Sequence, residues 1–199
     1  MPWKAGASLP GGYTLLERVD LVRNHAHLKR VVCLSVGLAG AALLAGFCFA
    51  PAGGNAGTVT VGSFIVKLLT AAAGLALYMA GHEAVHGLAM WAAGRVKPHF
   101  GFTLMYAYAG SDAFFSKNAY LCIALAPAAV WGIGLALGCA LVPSDWFWVV
   151  YAAQVFNLSG SAGDFYVAAR VLRMPGGVLV RDTGTAMMAF SPMQTAADA

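Results

Sequence analysis

Charge is what this chain has least of. Asp, Glu, Lys and Arg make up 10% of its 199 residues, where a soluble domain carries about 25%. So few charges cannot solvate a globular surface, and most of the outer surface is expected to face lipid. A mean hydropathy of +0.71 and a 60% share of hydrophobic residues place the chain in the membrane class. The basic excess is small, a net +4 with a pI near 9.0. No cluster interleaves Lys and Arg with aromatics, so nucleic acid is not an expected partner. The basic residues lie between apolar runs, where anionic headgroups sit. Cysteine is also sparse. Cys33, Cys48, Cys122 and Cys139 each fall inside an apolar run and none forms a C-x-x-C pair. That gives little support to a disulfide framework or a cysteine zinc site, and the expected role is as four small residues packing between helices. No cleavable signal peptide is expected, because Met1 to Arg30 is fairly polar and the run after it is long enough to stay in the membrane. No internal repeat is visible, which disfavours an inverted-repeat transporter.

Long apolar runs are what the chain has instead. They cover Val31 to Ala50, about Ser63 to Gly94, about Ala119 to Val142, and about Trp146 to Leu172. Each exceeds the roughly 20 residues needed to cross a bilayer core. Pro51 with Gly53-Gly54-Asn55, Pro143, and Pro175-Gly176-Gly177 punctuate them. The expected fold is an all-α multi-pass membrane protein with about four transmembrane helices. Three parts follow: a cytosolic basic arm over 1–30, a membrane-embedded domain over 31–174, and a cytosolic tail over 175–199. In the arm, Leu15, Leu16, Val19 and Val22 recur at helical spacing and predict an amphipathic surface helix. Lys4, Arg18, Arg23, Lys29 and Arg30, then Arg95, Lys97 and Lys117, then Arg170, Arg173 and Arg181 fall on one side of a four-span chain. The other two loops carry no Lys or Arg. The positive-inside rule then puts both termini in the cytosol of a cell (inner) membrane protein. Gly134 and Gly138 predict close helix packing.

The second run contains His82-Glu83-Ala84-Val85-His86. Two histidines four apart on a helix share a face and can both ligate one zinc. The adjacent glutamate is placed to take a proton from the attacking water. Its position inside an apolar helix makes Glu83 a functional candidate by default, since charge at membrane depth is expensive; the alternative is a metal-free polar cluster that packs helices. Zinc enzymes usually supply three protein ligands. Asp164 is the carboxylate deep in the fourth run, in the stretch Asn157 to Asp164, whose Gly160, Gly163, Ser159 and Ser161 predict a broken helix. It is the expected third ligand, with a hydrogen-bonded structural carboxylate as the alternative role and His99 as the alternative ligand.

The motif His82 to Gly87, followed by Asn157, Ser161, Gly163 and Asp164, resembles the site-2 protease class of intramembrane metalloproteases. Within that class the pattern H-E-x-x-H-G and then N-x-x-x-S-x-G-D is most similar to small bacterial zincin peptidases, over roughly residues 75 to 185. The resemblance implies one Zn2+ per chain on His82, His86 and Asp164, Glu83 as the water-activating base, and Asn157 as a holder of substrate backbone or oxyanion. For Asn157 an interhelical hydrogen bond is the other reading. Site-2 proteases have prolines before the Asp and a glycine after it; here Ser, Ala and Gly precede Asp164 and Phe165 follows. No PDZ-like domain is visible.

Phe100 to Tyr108 alternates aromatics and Leu104, with a turn at Gly110-Ser111-Asp112, and predicts a small β-hairpin after the motif helix. It reads either as an edge for an extended substrate or as a membrane-dipping loop. Trp146, Phe147, Trp148 and Tyr151 read as an interfacial belt, and Lys67 as a snorkelling lysine. Asp112 and Lys117 read as solvated loop charges, Asp182 as a turn residue, and His25 and His27 as surface residues. The expected activity is peptide-bond hydrolysis on a membrane protein or peptide. A zinc-binding pseudoprotease and a metal transporter are the rival readings.

Overall fold

In the computed structural model the described residues are 5–51, 60–102 and 107–193. The expected turn at Gly53-Gly54-Asn55 and the centre of the 100–108 segment lie outside them. The chain is mostly helical. It divides into two compact units, one of Met1–Arg30, Glu83–Ala126 and Gly163–Ala199, the other of Val31–His82 and Pro127–Ala162.

The first unit is built on a five-stranded antiparallel sheet that the sequence did not announce. Its strands are β1 (Ala5–Gly6), β2 (Tyr13–Asp20), β5 (Phe114–Ser116), β6 (Leu179–Asp182) and β7 (Ala186–Pro192), in the order β1-β5-β6-β7-β2. Both ends of the chain therefore meet in one sheet, and the all-α expectation is corrected. The amphipathic helix expected around Leu15 to Val22 is corrected with it: that segment is β2. A β-bulge between Leu15 and Glu17 inserts Leu16 into the pairing with β7. The extra residue breaks the period-2 alternation and imitates a helical spacing. Only Val19 of that set is buried, at 1%, while Leu15 is 54% exposed. Val19, Phe115, Val180, Met187 and Ala189 pack on Met90, Tyr120, Ile123, Val167 and Val171 to form the core of this unit. Arg170 on the helix side pairs with Glu17 of β2, its Nε donating at 2.6 Å. Separately, β3 (His99–Phe102) and β4 (Ala107–Gly110) pair as a hairpin; a hairpin is expected here, but with Gly110 in its turn, and Gly110 instead ends β4.

The second unit is helical and apolar outside as well as inside. It contains most of α1 (His25–Phe49), the first part of α2 (Val61–Gly94), the later part of α3 (Lys117–Leu141), a 3-10 turn over Ser144–Trp146, and α4 (Phe147–Gly160). Leu44, Phe47, Leu69, Leu77, Ile133 and Leu141 are all exposed. Helices α1, α2 and α3 are each long and apolar enough to cross a membrane. Asn24 caps α1, accepting from Ala26 N at 3.0 Å, so this helix starts before the expected Val31. The 34-residue α2 runs about 51 Å at 1.5 Å per residue. It ends where Arg95 turns left-handed, φ 56°.

The fourth apolar run is not one helix. It is α4 followed by α5 (Ala162–Leu172), parted at Ser161. Each piece is shorter than a full crossing, so among the described residues three of the four expected helices are long enough by themselves, and the fourth run is broken within the Asn157 to Asp164 stretch. Lys117, expected to be solvated, donates instead to the carbonyl of Leu172 at 2.9 Å and to that of Met174, a cation at the α5 C-terminus. Asp112 pairs with Arg181. Helix packing in the second unit relies on glycines, though not the pair expected. The ring of Tyr151 occupies the space a Cβ on Gly46 would need, and the ring of Trp131 does the same at Gly81. Gly138 approaches Val150, but Gly134 faces open space. The aromatic belt is also a packing cluster, with Phe147 stacked on Tyr151 at 5.1 Å and Trp148 against Phe47 at 5.0 Å.

Candidate metal centre

Helix α2 carries His82 and His86 one turn apart on one face, as the 3.6-residue period requires. Both side chains are buried, at 8% and 9% exposure. Asp164 lies in the first turn of α5, and its Oδ1 is 3.4 Å from His86 Nε2. The ligand atoms of His82, His86 and Asp164 all fall within 4.8 Å of one another. His99, the alternative third ligand, is exposed at the start of β3 and does not join this group.

The donor set fits zinc. Two imidazole nitrogens and one carboxylate oxygen are ordinary zinc ligands, and a tetrahedral edge around a zinc with bonds near 2.05 Å is roughly 3.4 Å. The other ring nitrogen of each histidine is already engaged. His86 Nδ1 faces the carbonyl oxygen of Ile123 at 3.0 Å. A carbonyl only accepts, so Nδ1 carries the hydrogen and Nε2 is the atom offered to Asp164 or to a metal. That carbonyl is available for a specific reason. Pro127 lies inside α3 and has no N–H, so the i to i−4 bond that would take up Ile123 O is missing. His82 Nδ1 faces the Tyr78 hydroxyl at 3.1 Å.

Glu83 follows His82 on α2 and is half-buried. Asn157, the other expected catalytic residue, is fully buried on α4. Its Nδ2 donates to the carbonyl of Ala128 at 3.2 Å and its Oδ1 accepts from the Tyr78 hydroxyl at 3.3 Å. Both bonds run between helices, to Ala128 of α3 and Tyr78 of α2.

Three features escaped the sequence reading. Tyr78 stands four residues before His82, on the same face, and that spacing is the signal that could have found it. Pro127 inside an apolar run is the signal for an open carbonyl four residues earlier. The third is Asp182, read as a turn residue. It does turn the chain, accepting from Gly184 N at 2.8 Å, but it also accepts from the Tyr120 hydroxyl at 2.6 Å. Burial pushes its carboxyl above the ordinary carboxylate range, and the Tyr120 and Gly184 donors offset this only in part. Of the two arm histidines, His25 is exposed and opens α1, while His27 lies against Tyr166 with ring centroids 6.0 Å apart.

No curated protein and no solved structure matches this chain. A family model described as "Putative zincin peptidase" matches residues 75–179, more than half of the chain, and that stretch contains the histidine motif, Asn157 and Asp164. A zincin family implies zinc and a metallopeptidase activity, which is what the donor set on α2 and α5 can support. The chain belongs to this zincin peptidase family.

Proposed function

We propose that this protein is an intramembrane zinc endopeptidase of the site-2 protease type, which cuts peptide bonds of membrane-associated substrates. The observation that carries the reading is the convergence of His82, His86 and Asp164 within 4.8 Å, beside Glu83, on a helix apolar enough to span a bilayer. His82, His86 and Asp164 would hold the zinc. Bound there, zinc supplies a Lewis acid that polarises the scissile carbonyl and makes water acidic enough to react near neutral pH. Glu83 takes the proton of the attacking water and returns it to the leaving amine. The His86 ring is held by Ile123 O throughout, so its orientation does not have to be found during the reaction.

A substrate helix must be extended before its backbone can be attacked. Strand β3 pairs with β4 on one edge and, among the described residues, with nothing on the other. Its Phe100 and Phe102 are exposed. An open edge flanked by aromatics suits an extended segment added as a further strand. In a membrane, α4 and α5 together would make the fourth crossing and place the basic segments, both termini included, on the cytosolic face of the inner membrane. Lys67 pairs with Asp145 at 3.1 Å and lies over the Trp146 ring, an arrangement that suits the outer interface.

The test is Glu83→Gln in the full chain, assayed for cleavage of a membrane-inserted peptide and for zinc content. Cleavage is expected to fall by roughly 10^2- to 10^4-fold, the worth of a general base, with zinc retained. Undiminished cleavage would remove Glu83 from the mechanism. A chain with full zinc and no cleavage of any peptide tried, wild type included, would favour the pseudoprotease reading.

A further inference from the structure

Three polar groups form a chain inside the second unit, among helices that are otherwise apolar. Ala128 O accepts from Asn157 Nδ2 at 3.2 Å, Asn157 Oδ1 accepts from Tyr78 Oη at 3.3 Å, and Tyr78 Oη lies 3.1 Å from His82 Nδ1. The direction of every bond follows from the chemistry at one end. A backbone carbonyl only accepts, so the amide end of Asn157 that faces Ala128 is its NH2 group, and the end that faces Tyr78 is its oxygen. The single phenolic hydrogen therefore points to Asn157. The bond between Tyr78 and His82 must then be donated by the imidazole, so Nδ1 carries the hydrogen and Nε2 the ring lone pair. The geometry holds the links in place. The Tyr78 ring meets Trp131 edge-on with centroids 5.5 Å apart.

We infer that Asn157 is a positioning residue for the ligand His82, acting through the Tyr78 hydroxyl to fix the tautomer that offers Nε2 to a metal. This rests on the zinc reading above. It differs from a substrate or oxyanion role, because Asn157 has no exposed surface and its oxygen is spent on Tyr78. Without Asn157 the phenolic hydrogen can turn to His82 Nδ1. That favours the Nε2–H tautomer, which cannot ligate through Nε2. Without the Tyr78 hydroxyl, the Nδ1–H loses this acceptor in an apolar surround.

The test is zinc affinity of the purified full chain in detergent, by competition with a chelator, for wild type, Tyr78→Phe, Asn157→Leu, the double variant and Asn157→Asp. Each of the first two single changes is expected to weaken binding by roughly 10- to 100-fold, the usual effect of losing a ligand's outer partner. The double variant is expected to bind no more weakly than the weaker single, because the two act in series. Asn157→Asp is expected to stay within a few-fold of wild type, since an acid protonated at this depth still donates to Ala128 O and accepts from Tyr78. Additive losses, or either single variant binding as tightly as wild type, would overturn the inference while leaving the zinc reading intact. Absence of zinc binding in wild type would overturn the zinc reading itself. Tyr78→Phe changes one oxygen and keeps the ring, so a folding defect in Asn157→Leu does not decide the outcome; thermal melting of each variant separates the two effects.

Discussion

At the residue scale, the histidines differ in how their ligating nitrogen is secured. His86 uses a backbone carbonyl and His82 a hydroxyl, and the latter can be lost by a single side-chain change. Asp20 of β2 shows the same economy of polar groups. At the end of β2 it accepts from Val22 N at 3.1 Å, Arg23 N at 2.8 Å and Arg18 at 3.1 Å. Partial burial raises its carboxyl, but the Arg23 N–H, the Arg18 guanidinium and the Val22 N–H outweigh it and hold the group below its ordinary range. A lowered acid contributes stability that is fully present above the unfolded value of about 3.9 and is lost as pH falls through the folded value. Asp20→Ala is expected to cost about 1–2 kcal/mol at neutral pH. In melting experiments the gap to wild type should narrow below about pH 4. A gap that stays constant down to pH 2 would show that the charge of Asp20 contributes nothing.

At the element scale, α2 and α3 were legible because hydropathy, length and flanking prolines all agree, and the motif face of α2 followed from helical geometry alone. Asp164 was legible as a lone carboxylate in an apolar run, where it needs a partner. The sheet was not, for a physical reason. Its strands are short, β1 being two residues and β5 three, and their partners are distant in the chain, so little local signal survives. The bulge at Leu16 removed the one strong alternation, in β2. The division of the fourth run at Ser161 was legible as a tendency from its glycines and serines, but not as two helices parted by a single residue. Pro127 was overlooked because its consequence falls on another helix. Pro127→Ala would restore an N–H for Ile123 O and set it in competition with His86 Nδ1. Helix α3 should gain stability, up to about 3 kcal/mol from propensity, while zinc affinity falls by roughly tenfold. Chelator competition alongside thermal melting reads both. Gains in stability and affinity together would show that His86 does not depend on the open carbonyl.

At the scale of the whole molecule, the chain has two kinds of surface. The sheet-bearing unit has an ordinary core, with Phe115, Val180 and Ala189 fully buried, and carries the ion pairs Arg18–Asp20, Arg170–Glu17 and Arg181–Asp112. The helical unit leaves Leu, Ile and Phe side chains exposed along α1, α2 and α3, which is affordable in lipid and not in water. His82, Tyr78 and Asn157 are linked by hydrogen bonds in the helical unit, and His82, His86 and Asp164 bring their ligand atoms within 4.8 Å of one another. The account stands or falls on whether those groups serve a metal. The most direct measurement is the zinc content of the full chain, purified in detergent without chelators, for wild type beside His86→Ala and Asp164→Ala. The account predicts about one zinc per chain in wild type and its loss in both variants. A wild-type chain without zinc, or full zinc content in Asp164→Ala, would contradict it.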